Sequence, residues 1–569
     1  MSIQPFVDGK NADAKFVLRA HRGEGMVLLA MDWKGGRPPD DFVGFGITYK
    51  EPGGANWLNV TNRLSFGPPP PFPERKPSMD APIQKFRWVH FPFNADLVGK
   101  FTYRVTPRFM KSDETLRSGA AQNVQLELRR ETVPGELNVA FTRGFIASQA
   151  FVDRWLSGGP INTLLPPNAD VALDFVPTHP NAAEALAWMG FEANAEILRV
   201  LDLAIADPTA NVDVVAFDLA NPAVVRRLEA LGTRLRIVID DSKDHKGPER
   251  AEGIAEQRLA STAGRSHVVR QHMGSLQHNK TIVVHGPNLN MVLCGSTNFS
   301  WRGSYVQNNH VVVLYGAGAV KPFLEAFEGY FRAKGPVAFR SSDSTLWHTI
   351  AGSTDVAVTF SPHRPETEVL AEVAADIESA TSSVLYSLAF LYQTTGAIRN
   401  TITSLTEADE VLVAGISDKA VGGIEVQGPA RNRAPVSPAV LGANAPAPFS
   451  QEPAGGGGVR MHHKFVVTDF DTPQARVYLG SFNFSGPADK NNGENLLLIR
   501  DRKVATAFAV EAIRIIDHYE FRLKQVSEPV EALSLKKAPV GIGDATWFAE
   551  HYHDPHRVAD RQLFAGTRT

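Results

Sequence analysis

Two stretches of the chain decide its fold: residues 277–284, which read QHNKTIVV, and residues 462–467, which read HHKFVV. Each contains a histidine followed two positions later by a lysine, and each continues as an apolar run typical of a buried strand. Related stretches follow both, LCGSTNFS at 293–300 and LGSFNFS at 479–485. The histidine and the asparagine are 20 positions apart in the first copy and 21 in the second, so the sequence predicts an internal duplication.

Strand-like and helix-like segments alternate around both copies. In the first half, a helix-like stretch at 181–206 precedes an apolar run at 212–219. After residue 354 the same alternation of strand-like and helix-like segments begins again. Strands that alternate with helices indicate a mixed or parallel sheet covered on both faces. The predicted fold class is therefore α/β, with two pseudo-twofold-related lobes of mixed sheets flanked by helices, spanning 143–350 and 351–525.

The two ends of the chain have other patterns. Apolar and polar residues alternate in the first 140 or so positions, as in FTYRV at 101–105, which predicts an antiparallel β-sandwich over 1–142. The remaining segment, 526–569, is predicted to be a C-terminal tail. Its HYHDPH run at 551–556 offers imidazole and carboxylate ligands, but the proline within it favours a solvated tail without metal.

The repeated residues suit a phosphate group. Alternate residues of a strand point to the same face, so the histidine and lysine of each copy lie together, and the asparagine at the following turn can donate hydrogen bonds to the same place. If the lobes pack face to face, these side chains form one anion-sized cage. The predicted catalytic set is His278, Lys280, Asn298, His462, Lys464 and Asn483.

Such a cage can cleave a phosphodiester without metal or cofactor. Its lysines and amides neutralise charge at phosphorus, one neutral imidazole attacks phosphorus, and the other, protonated, delivers a proton to the leaving oxygen. Eleven residues after Asn483 stands Glu494, whereas Asn309 stands eleven residues after Asn298. The imidazole that contacts Glu494 is expected to be the more basic, and the spacing alone does not identify that imidazole.

These motifs resemble the HKD motif of the phospholipase D superfamily, present twice in one chain. The second copy carries Asp469 at the motif's spacing, and the NNGEN run at 491–495 completes the likeness, which extends from about 145 to 525. The resemblance implies that Glu494 orients His278 as the nucleophile and that His462 is the general acid. Supporting or structural roles are implied for Asp469, Asn309, Ser296 and Ser481.

The first copy departs from the family pattern. His285 stands where the motif has aspartate, which bears on the packing of that lobe, and Asn309 replaces an acid. A neutral amide beside one histidine and a carboxylate beside the other is similar to the tyrosyl-DNA phosphodiesterase branch. We further expect Trp301 to line the substrate entrance, His463 to face the core, and the proline- and glycine-rich stretch 418–460 to form a rim or lid.

Composition separates the functions that such a site allows. The 569 residues carry a net charge of −3 and 33 phenylalanines, which favours an amphiphilic phospholipid over a polyanion. We therefore expect a phospholipase D-type phosphodiesterase that hydrolyses the headgroup phosphodiester and can also transfer the phosphatidyl group to an alcohol. A nuclease or DNA-end phosphodiesterase, which would bind nucleic acid, and an inactive phosphate-binding scaffold remain alternatives.

The expected partners and location follow from the same observations. A phospholipid substrate implies contact with a peripheral membrane surface, and the internal duplication predicts a monomer because one chain supplies both halves of the site. The start of the sequence, MSIQP, lacks the basic flank and apolar stretch of a signal peptide, so a cytoplasmic location is expected.

Overall fold

The computed structural model gives a backbone for most of the chain. The described residues are 4–67, 75–144, 154–155, 158–190, 192–332, 335–352, 354–391, 395–418, 424–427, 434–436, 461–527, 534–541 and 544–568. Of the segment predicted as a rim or lid, 418–460, the structure describes only 418, 424–427 and 434–436, so that prediction stays a prediction.

The N-terminal region consists of short antiparallel strands. They are β1 (Phe6–Asp8), β2 (Phe16–Arg22), β3 (Val27–Trp33), β4 (Phe42–Lys50), β5 (Leu58–Asn59), β6 (Thr61–Asn62), β7 (Lys76–Pro77), β8 (Arg87–His90), β9 (Lys100–Met110), β10 (Leu116–Ser118) and β11 (Gln122–Glu127). One sheet has the order β1-β2-β3-β8, and the other has the order β10-β9-β4-β5 with β11 also on β9. Phe101, Tyr103 and Val105 on β9 are fully buried between the sheets, which confirms the predicted alternation.

The first lobe is built on a mixed sheet. Its strands are β12 (Leu137–Phe141), β13 (Asn211–Ala216), β14 (Leu219–Ala220), β15 (Leu235–Ile239), β16 (Val268–Arg270), β17 (Lys280–His285), β18 (Met291–Gly295), β19 (Phe299–Ser300) and β20 (His310–Tyr315). Its helices are α1 (Ala182–Met189), α2 (Ala193–Ala206), α3 (Pro222–Leu231), α4 (Ala251–Ala263), α5 (Ala317–Arg332) and α6 (Pro336–Arg340). The main sheet has the order β12-β20-β18-β17-β13-β15-β16.

The second lobe repeats this plan. Its strands are β21 (His348–Ile350), β22 (Asp355–Ser361), β23 (Ser383–Leu388), β24 (Leu412–Asp418), β25 (Ile424–Gln427), β26 (Ala434–Val436), β27 (Lys464–Thr468), β28 (Arg476–Gly480) and β29 (Glu494–Arg500). Its helices are α7 (Leu370–Glu378), α8 (Ala397–Ala408), α9 (Gly486–Lys490) and α10 (Arg502–Ser527). The sheet has the order β21-β22-β29-β28-β27-β23-β24-β25-β26.

The two sheets share one topology. The run β12-β20-β18-β17-β13-β15 matches β22-β29-β28-β27-β23-β24 strand for strand, and the last pair is parallel while the others are antiparallel in both. The motif strands β17 and β27 therefore occupy the same central position in each lobe. This arrangement confirms the predicted α/β class with two duplicated lobes.

The first lobe begins earlier than predicted. Strand β12 lies within 1–142, the predicted sandwich, yet it pairs with β20 at the edge of the first lobe's sheet. Its residues Leu137, Val139 and Phe141 are buried in the core cluster that both lobes share. The alternation of apolar and polar residues in this segment fits a strand of the sandwich as well as a strand of the lobe. Pairing with β20 and burial in the core of the lobes decide between the two.

The C-terminal segment is not the solvated tail that the sequence predicted. Helices α11 (Glu550–His553) and α12 (Pro555–Ala565) pack against the sandwich, and Phe548 and Phe564 are almost completely buried. Asp560 forms an ion pair with Arg87 at 2.9 Å. Hydrophobic burial and paired charges therefore anchor this segment. Among the residues that the structure describes, no group of three or more histidine, cysteine, aspartate or glutamate side chains is placed to hold a metal ion.

Candidate active site

The lobes meet along two short backbone contacts that are related by the pseudo-twofold axis. Gln277, just before the first motif histidine, forms a parallel bridge with Gly493, just before Glu494. Met461, just before the second motif histidine, forms the same bridge with Asn308, just before Asn309. His278 is thus placed beside Glu494, and His462 beside Asn309. Each of these partners stands eleven positions after the asparagine of the Gly-Ser-x-Asn segment in the opposite lobe.

The two motif histidines face each other across the lobe interface. The ring centroids of His278 and His462 are 6.4 Å apart, and the rings are inclined by 68°. Each side chain is about 5% exposed, which leaves a narrow opening to solvent. Two imidazoles at this separation can approach one phosphorus atom from opposite sides, as the sequence predicted.

Glu494 contacts His278. Its Oε2 atom lies 2.7 Å from Nδ1 of His278, and its Oε1 atom accepts a hydrogen bond of 3.0 Å from Asn492. Glu494 is fully buried. A buried carboxylate on Nδ1 holds the proton there and leaves Nε2 free to act on the substrate. The structure therefore places Glu494 on the histidine that the family resemblance implied.

Asn309 takes the equivalent place beside His462. Its Oδ1 atom lies 2.7 Å from Nδ1 of His462, and its amide nitrogen donates a 3.0 Å hydrogen bond to the carbonyl of Gly303. The hydroxyl of Ser296 donates to the same Oδ1 atom at 3.0 Å. Ser481 is the counterpart of Ser296, and its hydroxyl accepts a 3.0 Å hydrogen bond from the backbone N–H of Asn495. Ser296 thus supports the partner of His462 directly, whereas Ser481 binds the backbone next to Glu494.

The lysines and asparagines complete the site. Lys464 donates a 2.8 Å hydrogen bond to the carbonyl of His462, and Lys280 donates to the carbonyl of His278. The Oδ1 atoms of Asn298 and Asn483 are buried and have no hydrogen-bond partner among the described residues. An unpartnered amide oxygen can accept a hydrogen bond from a hydroxyl group of a ligand, whereas only the NH₂ group of the same side chain can donate to a phosphate oxygen.

Burial and neighbouring cations keep both imidazoles neutral in the unliganded protein. Burial, with Lys280 and Lys464 nearby, lowers the pKa of His278 to about 4, although Glu494 opposes this shift. Burial also lowers the pKa of His462 well below its usual value, and Lys464 and Lys280 add to the effect. A neutral His278 is ready to attack, and the anionic substrate favours protonation of His462.

Lys280 gives the site a pH-dependent affinity for anions. Burial lowers the pKa of Lys280 to about 7, against the opposing effect of Glu494, Asp218 and Asp240. Lys280 is therefore charged below pH 7 and increasingly neutral above it. We expect the dissociation constant of sulfate, which stays fully ionised, to rise by up to about tenfold per pH unit above pH 7. Calorimetric titration between pH 6 and 9 measures this slope, and Lys280→Met should flatten it. An unchanged slope in that variant would contradict the assignment.

The residue at the motif's aspartate position stabilises each lobe differently. Asp469 is buried and accepts hydrogen bonds from the backbone N–H groups of Thr381, Ser382 and Ser383, the closest at 2.7 Å. In the first lobe, Nε2 of His285 lies 2.9 Å from Oδ2 of Asp213 on strand β13. His285 thus pairs with a carboxylate of a neighbouring strand, whereas Asp469 accepts from backbone N–H groups.

Trp301 is not an entrance residue, contrary to the prediction. It is only 8% exposed, its indole donates a 2.9 Å hydrogen bond to the carbonyl of Ala172, and its ring packs against Phe175 and Tyr305. The residue that follows it, Arg302, is exposed and acts electrostatically on His462. Packing therefore explains Trp301, and the neighbouring cation faces the site.

Sequence reasoning missed Phe217. Its ring lies 4.6 Å from the ring of His278, and Nζ of Lys280 lies 4.5 Å from its centroid. It also packs against His245, which bonds to Asp240 at 2.8 Å. Phe217 follows strand β13, and the equivalent position after strand β23 is Ala389, so the repeat could not reveal an aromatic residue here.

Comparisons with known proteins agree with this geometry. The family described as "Cardiolipin synthase, PLD-like domain" matches residues 202–331 and 373–516, one segment in each lobe. The chain belongs to the phospholipase D superfamily, with two motifs in one chain.

Individual relatives match over limited lengths. A phospholipase D of Rickettsia prowazekii is 45% identical over 47 residues, or 8% of this chain, so the chain spans only 21% of that relative's length. The phospholipase D family member Nuc of Salmonella typhimurium is 23% identical and covers 25% of this chain and 87% of its own, with a TM-score of 0.21. Phosphatidylserine synthase of Haemophilus influenzae is 12% identical over 60% of this chain and 87% of its own, with a TM-score of 0.38.

The length and apolar character of the helices bear on whether the chain could cross a membrane. Among the described residues, none of the helices combines the length and the apolar character that crossing a bilayer requires.

Proposed function

We propose that this protein is a phospholipase D-type phosphodiesterase that hydrolyses the headgroup phosphodiester of phospholipids through a phosphohistidine. The observation that carries the proposal is the pair His278 and His462, with ring centroids 6.4 Å apart and with unlike partners on their Nδ1 atoms. One histidine has a carboxylate partner and the other has an amide, so the two can perform different steps.

The proposed reaction has two displacements at phosphorus. In the first, Nε2 of His278 forms a bond to phosphorus while the bond to the headgroup oxygen breaks, and His462 gives its proton to that oxygen. In the second, His462 takes a proton from water, the water oxygen bonds to phosphorus, and the phosphorus–nitrogen bond breaks. Phosphatidic acid leaves, and an alcohol in place of water gives transphosphatidylation.

The remaining polar side chains of the site are expected to stabilise charge. Lys280 and Lys464 are expected to bind the non-bridging oxygens, and the amides of Asn298 and Asn483 to donate to them. Glu494 stabilises the positive charge that forms on His278. Well-aimed donors of this kind are worth roughly 3–4 kcal/mol each in the transition state.

Features near the site support a lipid substrate. The segment that packs on Trp301 exposes Val171 and Val176, the latter 74% exposed, and the residue after Trp301 is the exposed cation Arg302. Apolar side chains next to cations suit an amphiphile with an anionic head. The matched Rickettsia proteins bear the name phospholipase D, which also supports a lipid.

Three arginines of the first lobe that could bind a nucleic-acid backbone are paired with aspartates. Arg227 pairs with Asp202 at 2.7 Å, Arg236 pairs with Asp213 at 2.7 Å, and Arg250 pairs with Asp170 at 2.9 Å. Phosphate backbones are bound by clustered cations that are free to release counterions, and paired arginines contribute little to such binding. This pairing favours the lipid over the nuclease alternative.

A parallel assay separates the alternatives. The purified protein is incubated with phosphatidylcholine vesicles, bis-p-nitrophenyl phosphate and single-stranded DNA. We expect cleavage of the lipid and of the aryl diester. Cleavage of DNA without lipid would favour the nuclease, and cleavage of none would favour the inactive scaffold. Gel filtration of the same sample measures the expected monomer.

Chelators should not affect the reaction. The lysines and amides of the site supply the charge stabilisation for which other phosphodiesterases use metal ions. We therefore expect dialysis against EDTA to leave the rate on phosphatidylcholine within about twofold of its starting value. Activity that returned only on addition of a divalent ion would contradict this prediction.

A further inference from the structure

Behind His462 lies a buried pair of histidines that the proposed reaction does not use. His310 and His463 are fully buried, their rings are parallel within 5°, and their Nδ1 atoms are 3.2 Å apart. The rings of Phe141, Phe465 and Phe508 surround them. The sequence predicted that His463 faces the core, and burial bears this out, but two imidazoles joined through one hydrogen bond in an apolar cage require a specific arrangement of protons.

A carboxylate fixes one end of this pair. Nε2 of His463 lies 3.1 Å from Oε1 of Glu511, and Arg514 donates a 2.8 Å hydrogen bond to Oε2. Burial opposes ionisation of Glu511, but Arg514 and the bond from His463 outweigh it and lower the pKa of this carboxyl group. An ionised carboxylate only accepts, so the proton of His463 is on Nε2 and its Nδ1 atom is an acceptor.

The other end of the pair reaches the partner of His462. Nδ1 of His310 lies 3.2 Å from the hydroxyl oxygen of Ser296, and this hydroxyl donates to Oδ1 of Asn309 at 3.0 Å. The same Oδ1 atom lies 2.7 Å from Nδ1 of His462. Because Oδ1 only accepts, both the serine hydroxyl and Nδ1 of His462 must donate to it.

One set of proton positions satisfies all of these contacts. His310 carries its proton on Nδ1, where His463 and Ser296 are both acceptors at 3.2 Å, while its Nε2 atom is buried without a partner among the described residues. Ser296 then has its own proton free for Asn309. His462 is left with a proton on Nδ1, so its Nε2 atom is the one that exchanges the catalytic proton.

We propose that His310 and His463, anchored on Glu511, are positioning residues that keep the proton of neutral His462 on Nδ1, so that its Nε2 atom takes up and delivers the catalytic proton. The inference deepens the proposed function and rests on it. The chain of contacts runs from the carboxylate through both histidines to Ser296, Asn309 and finally His462.

The other half of the molecule provides an internal comparison. The positions equivalent to His463 and His310 are Asn279 and Asn495, and the amide of Asn495 donates to Oδ1 of Asn279 at 2.7 Å. There, Glu494 contacts the histidine directly, so no distant carboxylate is needed. Beside His462 the direct partner is the neutral Asn309, and the carboxylate lies at the far end of the chain. The histidine pair is therefore specific to the general-acid side.

The test compares two leaving groups on the same phosphatidyl unit. p-Nitrophenolate leaves without a proton, whereas choline requires one, so a defect in the general acid lowers kcat/KM, which reports the steps up to loss of the leaving group, only on phosphatidylcholine. We expect His310→Leu to lower kcat/KM on phosphatidylcholine by about 10- to 100-fold and on phosphatidyl-p-nitrophenol by less than about threefold. His310→Asn keeps a donor at the Nδ1 position and should restore the phosphatidylcholine rate to within a few-fold of wild type.

Matched variants separate positioning from folding. Asn495→Leu, at the equivalent place on the nucleophile side, should lower both rates equally. Ser296→Ala should reproduce the effect of His310→Leu, and the double variant should be no worse than Ser296→Ala alone, because the two act along one chain. Equal losses on both substrates in His310→Leu, or additive losses in the double variant, would overturn the proposal. Should His310→Leu not fold, Ser296→Ala and His310→Asn still decide it.

A substrate-free measurement keeps this test separate from that of the proposed function. NMR of protein labelled with ¹⁵N-histidine reports which ring nitrogen carries each proton. We expect protons on Nδ1 of His310 and His462 and on Nε2 of His463, and a mixture of tautomers at His462 in Ser296→Ala. Protons on Nε2 of His310 or His462 in the wild type would overturn the inference even if the lipid is cleaved. The expected tautomers in a protein that cleaves no diester would support the chain and refute the proposed function.

Discussion

Replacement of His278 by alanine is expected to abolish turnover of every diester, with a loss of at least about 10⁴-fold in kcat. His278 supplies the atom that bonds to phosphorus, and the second histidine cannot replace it because its partner, Asn309, bears no charge. The measurement is the steady-state rate on phosphatidylcholine and on an aryl diester. The lysines and amides remain in His278→Ala, so sulfate binding should persist and show that the site is intact.

His462→Ala provides the complementary control. Without this histidine, a p-nitrophenyl diester can still form the phosphohistidine, but its hydrolysis lacks a base. We expect a stoichiometric burst of p-nitrophenol followed by slow turnover, and no burst from His278→Ala. A burst from His278→Ala with none from His462→Ala would exchange the roles of the two histidines.

Replacement of Glu494 by glutamine is expected to lower kcat by roughly 10³- to 10⁴-fold, which is the scale of losing a carboxylate that orients a catalytic histidine. Asn492 already donates to Oε1 of this side chain, so the new amide would direct its oxygen to Asn492 and its NH₂ group to His278. The imidazole would then carry its proton on Nε2, the atom that must attack. Glu494→Asp, which keeps the charge, should lose less.

The direction in which the acid limb of the pH profile shifts in Glu494→Gln can also be predicted. The wild-type reaction requires neutral His278, so kcat/KM rises with pH through about 4, the lowered pKa of this imidazole, and then levels off until Lys280 begins to lose its proton near pH 7. Glu494 raises that pKa, so Glu494→Gln lowers it further. The acid limb should therefore move to lower pH even though the plateau falls. Movement of the limb to higher pH would show that Glu494 does not act on His278.

The fold and most of the site could be predicted because their signals are local. Alternation along a strand places His278 beside Lys280 whatever the rest of the chain does, and the repeat implies that two such strands take equivalent places. Family membership and the α/β architecture were confirmed. By contrast, strand β12 and the C-terminal helices were placed wrongly, because edge pairing and docking on another domain leave no periodic signal in the segments themselves.

The supporting contacts of the site could not be predicted from the pattern. His310 follows Asn309, as Asn495 follows Glu494, so an alignment of the two halves would have marked the position. Nothing in the sequence, however, says that its ring meets His463 or that Glu511 on helix α10 closes the chain. The first of these contacts crosses the lobe interface and the second lies within the second lobe, and only the packed structure defines them. The same reason applies to Trp301, whose burial depends on a distant loop.

The tandem arrangement of the lobes has a consequence for how such a site could specialise. In a symmetric pair of identical chains, each imidazole would necessarily meet the same neighbour, either two acids or two amides. Joining the halves in one polypeptide removes that constraint, since a substitution such as Asn309 changes one neighbour and leaves Glu494 untouched. Because the two lobes are covalently linked, one histidine of a twofold-related pair can be fixed as the nucleophile and the other as the proton donor.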